Sequence, residues 1–297
     1  MYLNINNNNN NNIINNNFVI PQYKTPKFQY LSIILIIIII FQISYGFTIL
    51  YLFHSNHSYL IKIPISLIFY LSSIMSIISY ICTIKTDNKI DYEYFSHLSI
   101  ENCTNLSYCN KCQCYRSLRS HHCSDCNVCI SLMDHHCIWM ANCIGEKNLK
   151  SFYLFIIYSF ISCFICLLFT YKIFFDLNGG NYNNINLEMF LKENFIERLF
   201  GNFVRNLPLF TFFLSGFFSL SLGIFIYIHY CNLKIGLTTV EKMIYSKNLK
   251  ECPDYNENFI QNIENVFKDN IFLPFNKNDI EKINLDNKEE TEYLKLN

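Results

Sequence analysis

The most constraining feature of this sequence is a polar segment, rich in cysteine and histidine, that lies between long apolar runs. It extends from Cys109 to Phe152 and holds eight of the fourteen cysteines and four of the eight histidines. The segment has too few large apolar residues to fold around a core of its own. We therefore expect bound metal to stabilise it, because metal binding can contribute about 10 kcal/mol per site to such a fold.

Four apolar runs are each long enough to cross a bilayer, which takes about 20 helical residues. They cover residues 30–53, 63–84, 152–175 and 207–230. We predict an all-α polytopic membrane protein whose four transmembrane helices carry a small cytosolic zinc-bound domain between helices 2 and 3.

The remaining parts of the chain are assigned around these spans. The Cys/His-rich domain is placed at residues 100–151, and a C-terminal tail follows at 231–297. Residues 1–29 are dominated by asparagine and have little apolar surface to bury, so we expect disorder there.

The orientation follows from the even number of spans, which puts both termini and the Cys/His-rich segment on one side. That side carries most of the lysines and arginines, so the positive-inside rule places it in the cytosol. We expect an endomembrane location (Golgi or endoplasmic reticulum) or the plasma membrane. The net charge is zero, which gives no electrostatic basis for nucleic-acid binding.

The spacing of the cysteines indicates metal ligands. Cytosolic thiols are kept reduced, so dense cysteines there serve metal binding or chemistry more often than disulfides. The pattern supplies enough Cys and His residues for two closed tetrahedral zinc sites, whereas buried cysteines acting as small hydrophobes would show no such spacing. The candidate ligands are Cys109, Cys112, His121, His122, Cys123, Cys126, Cys129, His135, His136 and Cys143.

Eight ligands for two zinc ions leave at least one cysteine over, and Cys137 is the best candidate for a reactive thiol. It directly follows Asp134, His135 and His136. A neighbouring histidine can take the proton of a nucleophilic thiol, and a carboxylate can orient that histidine.

These motifs resemble the cysteine-rich domain of the DHHC family of protein S-acyltransferases, or palmitoyltransferases. Three further features of this chain agree with the family: the four-span layout, the run Thr238-Thr239-Val240-Glu241 and the pattern Asn262-x3-Val266-Phe267. The matching residues of the segment are Cys109, Cys112, Arg116, Arg119, His121, His122, Cys123, Cys126, Cys129, Asp134, His135, His136, Cys137, Cys143, Asn148 and Phe152.

The resemblance implies a two-step reaction between acyl-CoA and a cysteine of a membrane-associated protein at the cytosolic membrane face. Cys137 would be acylated by palmitoyl-CoA, with His135 as general base and Asp134 orienting it. A cavity between the spans, opening at the nucleophile, would hold the acyl chain. Thr239 and Asn262 would support the site.

The resemblance also divides the metal ligands into two interleaved sets, each holding one structural zinc ion. The first set is Cys109, Cys112, His122 and Cys129. The second set is Cys123, Cys126, His136 and Cys143.

Basic side chains near the site are candidates for binding the phosphates of acyl-CoA. They are Arg116, Arg119 and Lys147, and an equally good alternative is a solvated cationic face near anionic lipid headgroups. The sequence departs from the family where proline, proline and asparagine are common: Ile138, Ser117 and Ala141 stand there instead. We expect Ile138 to loosen the turn after the nucleophile.

Two other functions fit parts of the sequence. One is a membrane-anchored zinc module that recruits partners without catalysis, which the intact Asp134-His135-His136-Cys137 run argues against. The other is a transporter with a zinc-bound regulatory domain, which the near absence of ionisable residues from the spans argues against.

Overall fold

The computed structural model describes residues 29–53, 58–96, 106–178, 195–248, 259–267 and 272–274. The asparagine-rich tract for which we predict disorder covers residues 1–29, and residues 1–28 of it lie outside the described residues. Parts of the predicted C-terminal tail lie outside them as well.

Four long helices dominate the structure. Helix α1 (Gln29–Phe47) continues into a π-helical turn (Thr48–Phe53), and the other three are α2 (Tyr59–Lys85), α4 (Leu149–Asn178) and α5 (Phe195–Ile235). Each contains a stretch long and apolar enough to cross a membrane. The prediction of a multi-pass protein with four helical spans is confirmed.

The seam between α2 and α4 is built from small polar residues. Ser72 and Ser162 share a hydrogen bond of 2.7 Å, and Thr83 donates to Ser151 at 3.0 Å. Small side chains let two helices approach closely, and their hydroxyl groups bond across the interface where lipid offers no partner. This seam fixes the position of α4, whose first turn follows the Cys/His-rich segment.

The Cys/His-rich segment folds into three two-stranded antiparallel hairpins, preceded by the short helix α3 (Tyr92–Ser96). The prediction of a small domain between the second and third spans is confirmed, and β-structure is an addition to the all-α description. The strands are β1 (Leu106–Cys109), β2 (Cys114–Ser117), β3 (His121–Cys123), β4 (Val128–Ile130), β5 (His135–Cys137) and β6 (Asn142–Ile144).

The three hairpins repeat one another at an interval of fourteen residues. Each first strand ends on a cysteine, namely Cys109, Cys123 or Cys137. Each turn then contains a residue with positive φ: Gln113 at 53°, Asn127 at 58° and Ala141 at 48°. The third hairpin is therefore a variant of the same turn that builds the first two.

Buried asparagines fasten the third hairpin to the end of α2. The amide of Asn142 donates to the carbonyls of Thr83 (3.0 Å) and Thr86 (2.8 Å), and Asn148 donates to Thr83 (3.1 Å). The last carbonyls of a helix have no partner within the helix, so these amides satisfy them. The nucleophile candidate on β5 is thereby tied to the membrane helices.

Two short helices follow the fourth span: α6 (Thr239–Asn248) and α7 (Phe259–Phe267). Asn262 of α7 donates its amide to the carbonyl of Leu233 on α5, at 3.0 Å. Phe267 belongs to the apolar cluster that contains Cys137. Helix α7 therefore packs against α5 and beside the hairpin that carries Cys137.

Candidate active site and metal centres

The structure gathers the first predicted ligand set into one cluster. Cys109 comes from the end of β1, Cys112 from the turn that follows it, His122 from β3 and Cys129 from β4. The Nδ1 atom of His122 lies 3.7, 3.2 and 4.0 Å from the three sulfur atoms in that order. All four ligand atoms lie within 4.8 Å of one another.

The second predicted set forms an equivalent cluster one hairpin further along the chain. It contains Cys123 and Cys126, together with His136 of β5 and Cys143 of β6. The Nδ1 atom of His136 lies 3.6, 3.3 and 3.4 Å from the three sulfur atoms in that order.

Both clusters fit a tetrahedral zinc ion. Zn–S and Zn–N bonds of about 2.3 and 2.0–2.1 Å place neighbouring ligand atoms about 3.5–3.8 Å apart. The measured separations centre on that range, and all six cysteines are buried. Three thiolates and one imidazole form a closed donor set of the structural type.

Cys137 belongs to neither cluster, although it occupies the position of a ligand in the repeated turn. In the first two hairpins the backbone N–H of Cys112 and of Cys126 donates to the sulfur three residues earlier. In the third hairpin the N–H of Met140 donates to the carbonyl of Cys137, at 3.2 Å. The sulfur of Cys137 is thus free of that backbone bond.

A carboxylate and an imidazole stand directly beside this thiol. His135 Nδ1 donates to Asp134 Oδ2 at 2.7 Å, because an ionised carboxylate can only accept. The thiol of Cys137 lies two residues further along β5, near enough to raise the pKa of His135. With Nδ1 carrying the proton, Nε2 is the atom that can accept the proton of the thiol.

The surroundings of the pair favour the imidazolium that forms when His135 takes the thiol proton. Burial lowers the pKa of His135, but its interactions with Asp134 and Cys137 outweigh this effect and raise the pKa to about 9. Burial raises the pKa of Asp134, but the bonds from His135 and from the N–H of Thr239 hold it below its ordinary value. Asp134 therefore stays ionised and stabilises a proton on His135.

Asp134 is held at the start of α6. The backbone N–H of Thr239 donates to its Oδ1 at 2.8 Å, and the hydroxyl of Thr239 donates to its Oδ2 at 3.1 Å. The N-terminus of a helix carries free N–H groups and a partial positive charge, which suit a carboxylate. Asp134 is 1% exposed, so these contacts replace water.

The run Thr238-Thr239-Val240-Glu241 forms a capping box for the same helix. The N–H of Thr238 donates to Glu241 Oε2 at 2.8 Å, and the N–H of Glu241 donates to the hydroxyl of Thr238 at 3.3 Å. This reciprocal arrangement is typical of a helix start with Thr and Glu three residues apart. It places Thr239 opposite Asp134.

An apolar cavity of about 420 Å³ lies between the four long helices and reaches Cys137. Ile36 of α1, Phe155 of α4 and Leu222 of α5 are among its lining residues. Binding cavities commonly measure about 300–1,000 Å³. Apolar walls favour a hydrocarbon ligand, since each buried CH₂ group contributes about 0.8 kcal/mol.

The turn after Cys137 is held from the membrane side. Ser32 of α1 donates to the carbonyl of Ile138 at 2.6 Å, and Tyr80 of α2 donates to the carbonyl of Trp139 at 2.9 Å. Met140 and Ala141 close the turn with backbone bonds. These contacts fix the turn at the place where Ile138 stands instead of a proline.

The three basic side chains expected to bind acyl-CoA have different surroundings. Arg119 makes two 2.7 Å bonds to Glu241 and a 2.9 Å bond to the carbonyl of Gly236, so its guanidinium is already engaged. Arg116 is half-buried, with Nε and Nη1 enclosed by protein. Lys147 is exposed.

Several residues that shape the site were not identified from the sequence. They are buried or half-buried polar residues that bond backbone or other side chains: Ser32, Tyr80, Asn88, Asn142 and Asn232. Each is a single polar residue without a repeated spacing. Only the exclusion of polar groups from membrane helices points to Asn232 and Tyr80 in advance.

Fold and site together define a multi-pass membrane protein with a thiol–imidazole–carboxylate group beside two zinc-type clusters. A family model described as DHHC palmitoyltransferase matches residues 102–246. Over this region, just under half of its length, the chain is similar to the DHHC family.

Three curated relatives illustrate the similarity. Probable protein S-acyltransferase 13 of Arabidopsis thaliana is 28% identical over 163 residues, which are 54% of this chain and 48% of that protein. Probable protein S-acyltransferase 12 of the same plant is 29% identical over 73% of this chain and 75% of that protein. Palmitoyltransferase pfa3 of Aspergillus fumigatus is 52% identical over 20% of this chain and 11% of that protein. The match thus spans about half the length of the first of these relatives.

Proposed function

We propose that this protein is a protein S-acyltransferase, which moves a long-chain acyl group, palmitoyl above all, from acyl-CoA to cysteine thiols of membrane-associated proteins. The observation that carries the proposal is the place of Cys137. Cys137 lies near enough to His135 to raise the pKa of that imidazole, and it also lines the apolar cavity between the four helices. One sulfur atom thus meets both a proton acceptor and a space suited to an acyl chain.

The first half of the reaction acylates the enzyme. His135 Nε2 takes the thiol proton of Cys137, and the sulfur attacks the carbonyl carbon of the thioester. The bond between that carbon and the sulfur of CoA breaks, and the departing thiolate takes the proton from His135. CoA leaves as a free thiol, and the acyl group remains on Cys137.

The second half passes the acyl group on. His135, again neutral, takes the proton of the incoming cysteine thiol of the protein substrate. That sulfur attacks the acyl carbon, the bond to Cys137 breaks, and Cys137 regains a proton from His135. Asp134 stabilises the imidazolium formed in each half, as the carboxylate does in a catalytic triad.

The two zinc ions have a structural role in this proposal. Bound zinc supplies folding free energy to a segment that lacks a core. The first ligand set joins the first two hairpins, and the second joins the second and third. The second set includes His136, whose position next to His135 and Cys137 makes that metal centre the fixed support of the reacting groups.

The Cys/His-rich domain and both termini are assigned to the cytosol, where acyl-CoA and reduced protein thiols occur. The excess of lysine and arginine on that side supports the assignment. The four spans support a membrane location, which we assign to an endomembrane or to the plasma membrane. Among the basic candidates, Lys147 is proposed as the contact for CoA phosphates, with Arg116 in a lesser role and Arg119 in a structural one.

The test is acylation of the purified full-length protein in detergent or nanodiscs with palmitoyl-CoA. Mass spectrometry should find a thioester on Cys137, with one CoA released per acyl group bound. Cys137→Ser should show neither product while keeping its zinc. Acylation that persists in Cys137→Ser, or a wild-type protein that is not acylated, would overturn the proposal.

A further inference from the structure

A buried asparagine of the fourth long helix is linked to the catalytic carboxylate through one hydroxyl group. Asn232 is 2% exposed, and its Nδ2 lies 3.0 Å from Oγ1 of Thr239. The same Oγ1 lies 3.1 Å from Oδ2 of Asp134, which accepts from His135 at 2.7 Å. The chain of contacts thus runs from α5 through α6 to the imidazole beside Cys137.

The donor and the acceptor of each hydrogen bond in this series of contacts follow from which groups can only donate and which can only accept. The ammonium group of Lys242, which lies 3.5 Å from Oδ1 of Asn232, can only donate. The amide oxygen of Asn232 therefore faces Lys242, and its NH₂ group faces Thr239. The hydroxyl of Thr239 accepts from that NH₂ group and must point its own hydrogen at Asp134.

An asparagine in this position requires an explanation. An amide buried in an apolar helix costs free energy unless it is hydrogen-bonded, and leucine would fill the same space without that cost. Here both ends of the amide are bonded, and one bond ends on the hydroxyl that supports Asp134. Hydrogen bonds in a chain polarise and strengthen one another.

We propose that Asn232 is a positioning residue of the active site. It acts through Thr239, whose hydroxyl hydrogen it directs onto Asp134, and Asp134 in turn holds His135 in the tautomer that accepts the thiol proton. Asn232 touches neither substrate nor the reacting atoms. This inference rests on the proposed acyltransferase function.

The experiment compares single-turnover autoacylation with palmitoyl-CoA in the full-length protein. Asn232→Leu should lower the maximal rate about tenfold, the effect of one lost hydrogen bond, and leave the half-saturating concentration of palmitoyl-CoA unchanged. Asn232→Asp has the same shape but cannot donate, and its carboxylate draws the hydroxyl hydrogen of Thr239 away from Asp134. It should therefore be slower than Asn232→Leu.

A double-mutant cycle separates this role from a purely structural one. Thr239→Val removes the hydroxyl, so adding Asn232→Leu to it should lower the rate no further. Interacting residues give such non-additive effects, whereas independent ones add. Ser219→Ala, which alters a buried polar residue more than three turns away on the same helix, should keep the wild-type rate.

The outcomes are distinct. If Asn232→Leu keeps the wild-type rate, or if its effect adds fully to that of Thr239→Val, the positioning role is overturned. The proposed function still stands in that case, provided that the wild-type protein is acylated on Cys137. If Asn232→Leu loses its zinc or does not fold, the cycle is carried out with Asn232→Asp under the same criteria. A wild-type protein without autoacylation overturns both proposals.

Discussion

Arg119 and Glu241 form a bidentate ion pair between the Cys/His-rich domain and the segment after the fourth long helix. Nε and Nη2 of Arg119 each lie 2.7 Å from a carboxylate oxygen of Glu241. The fork geometry of this contact is the strong form of an arginine–carboxylate bond. It ties α6, and therefore Thr239, to the domain that carries the candidate nucleophile.

Breaking this pair should destabilise the protein and slow its reaction. Glu241→Ala leaves a half-buried guanidinium without its partner and removes the capping box of α6. We expect the free energy of unfolding to fall by about 3 kcal/mol. This is the lower end of the range for breaking a buried ion pair, because Arg119 is 32% exposed. Thermal unfolding should show a lower midpoint than wild type, with Glu264→Ala, at an exposed acidic residue of α7, as the matched control.

The pH dependence of this contribution follows from the carboxyl group. Burial raises the pKa of Glu241, but the hydrogen bonds from Arg119 outweigh this and hold it below the ordinary value of 4.5. A depressed pKa means that the stabilisation is present above about pH 4.5 and is lost as the pH falls through the folded value. Wild type and Glu241→Ala should therefore converge in stability only in acid. An equal difference between them at pH 7 and at the lowest pH would contradict the assignment.

The metal prediction concerns number as well as position. Elemental analysis of the purified protein should give two zinc ions per chain, because each ligand set is complete and closed. Cys126→Ala should lose zinc and solubility together, since the metal supplies the local folding free energy. Cys114→Ala changes a buried cysteine outside both sets and should keep two zinc ions. One zinc ion or none in the wild type would refute the two-site arrangement.

A third prediction addresses the turn after the nucleophile. Ala141 has a φ of 48°, in the left-handed region that costs a residue with a Cβ atom about 1–2 kcal/mol. Asn127, at the matching place of the second hairpin, is a residue type that tolerates this region. Ala141→Gly should therefore raise the thermal midpoint by about 2 °C. Leu132, with a φ of 44°, also carries a Cβ atom in this region, so Leu132→Gly is the comparison.

The two substitutions separate strain from general flexibility. If relief of backbone strain raises the midpoint, both glycine substitutions should stabilise the protein. The gain in Leu132→Gly should be reduced by the side-chain contacts that leucine loses. A lower midpoint in Ala141→Gly would show that the added freedom of the unfolded chain outweighs the strain.

The spans and the presence of metal ligands could be predicted from the sequence because both leave regular signals, whereas the division of the ligands into two sets came from the family resemblance. Uninterrupted apolar runs identify membrane helices, and pairs of cysteines separated by two other residues identify metal-binding turns. The strands of the hairpins are only three or four residues long, too short for an alternating pattern. The spacing alone therefore gave no sign of β-structure.

The contacts of Arg119 show what sequence reasoning does not reach. A basic residue beside a predicted site for acyl-CoA suggests a phosphate contact, whereas its partner Glu241 lies 122 positions further along the chain. Asn232 was missed for a related reason, since an isolated polar residue at the end of an apolar run also fits a helix end at the membrane surface. Contacts between such distant residues depend on how the helices pack.

The most decisive prediction separates the adjacent histidines His135 and His136. In the structure His135 faces Asp134 and Cys137, whereas Nδ1 of His136 faces three cysteine sulfurs. General base catalysis contributes about 10²- to 10⁴-fold, so His135→Ala should lose autoacylation rate to that extent and keep two zinc ions. Raising the pH from about 6.5 to 9 should partly restore the rate, because an unperturbed thiol ionises near pH 8.5 without a base.

His136→Ala should lose zinc, and its defect should not recover with pH, because an ionised thiol on a disordered hairpin has no fixed place beside the cavity. Cys137→Ser gives the background for both variants. Equal behaviour of the two variants, or recovery at high pH in His136→Ala alone, would show that the roles assigned to the two histidines are wrong.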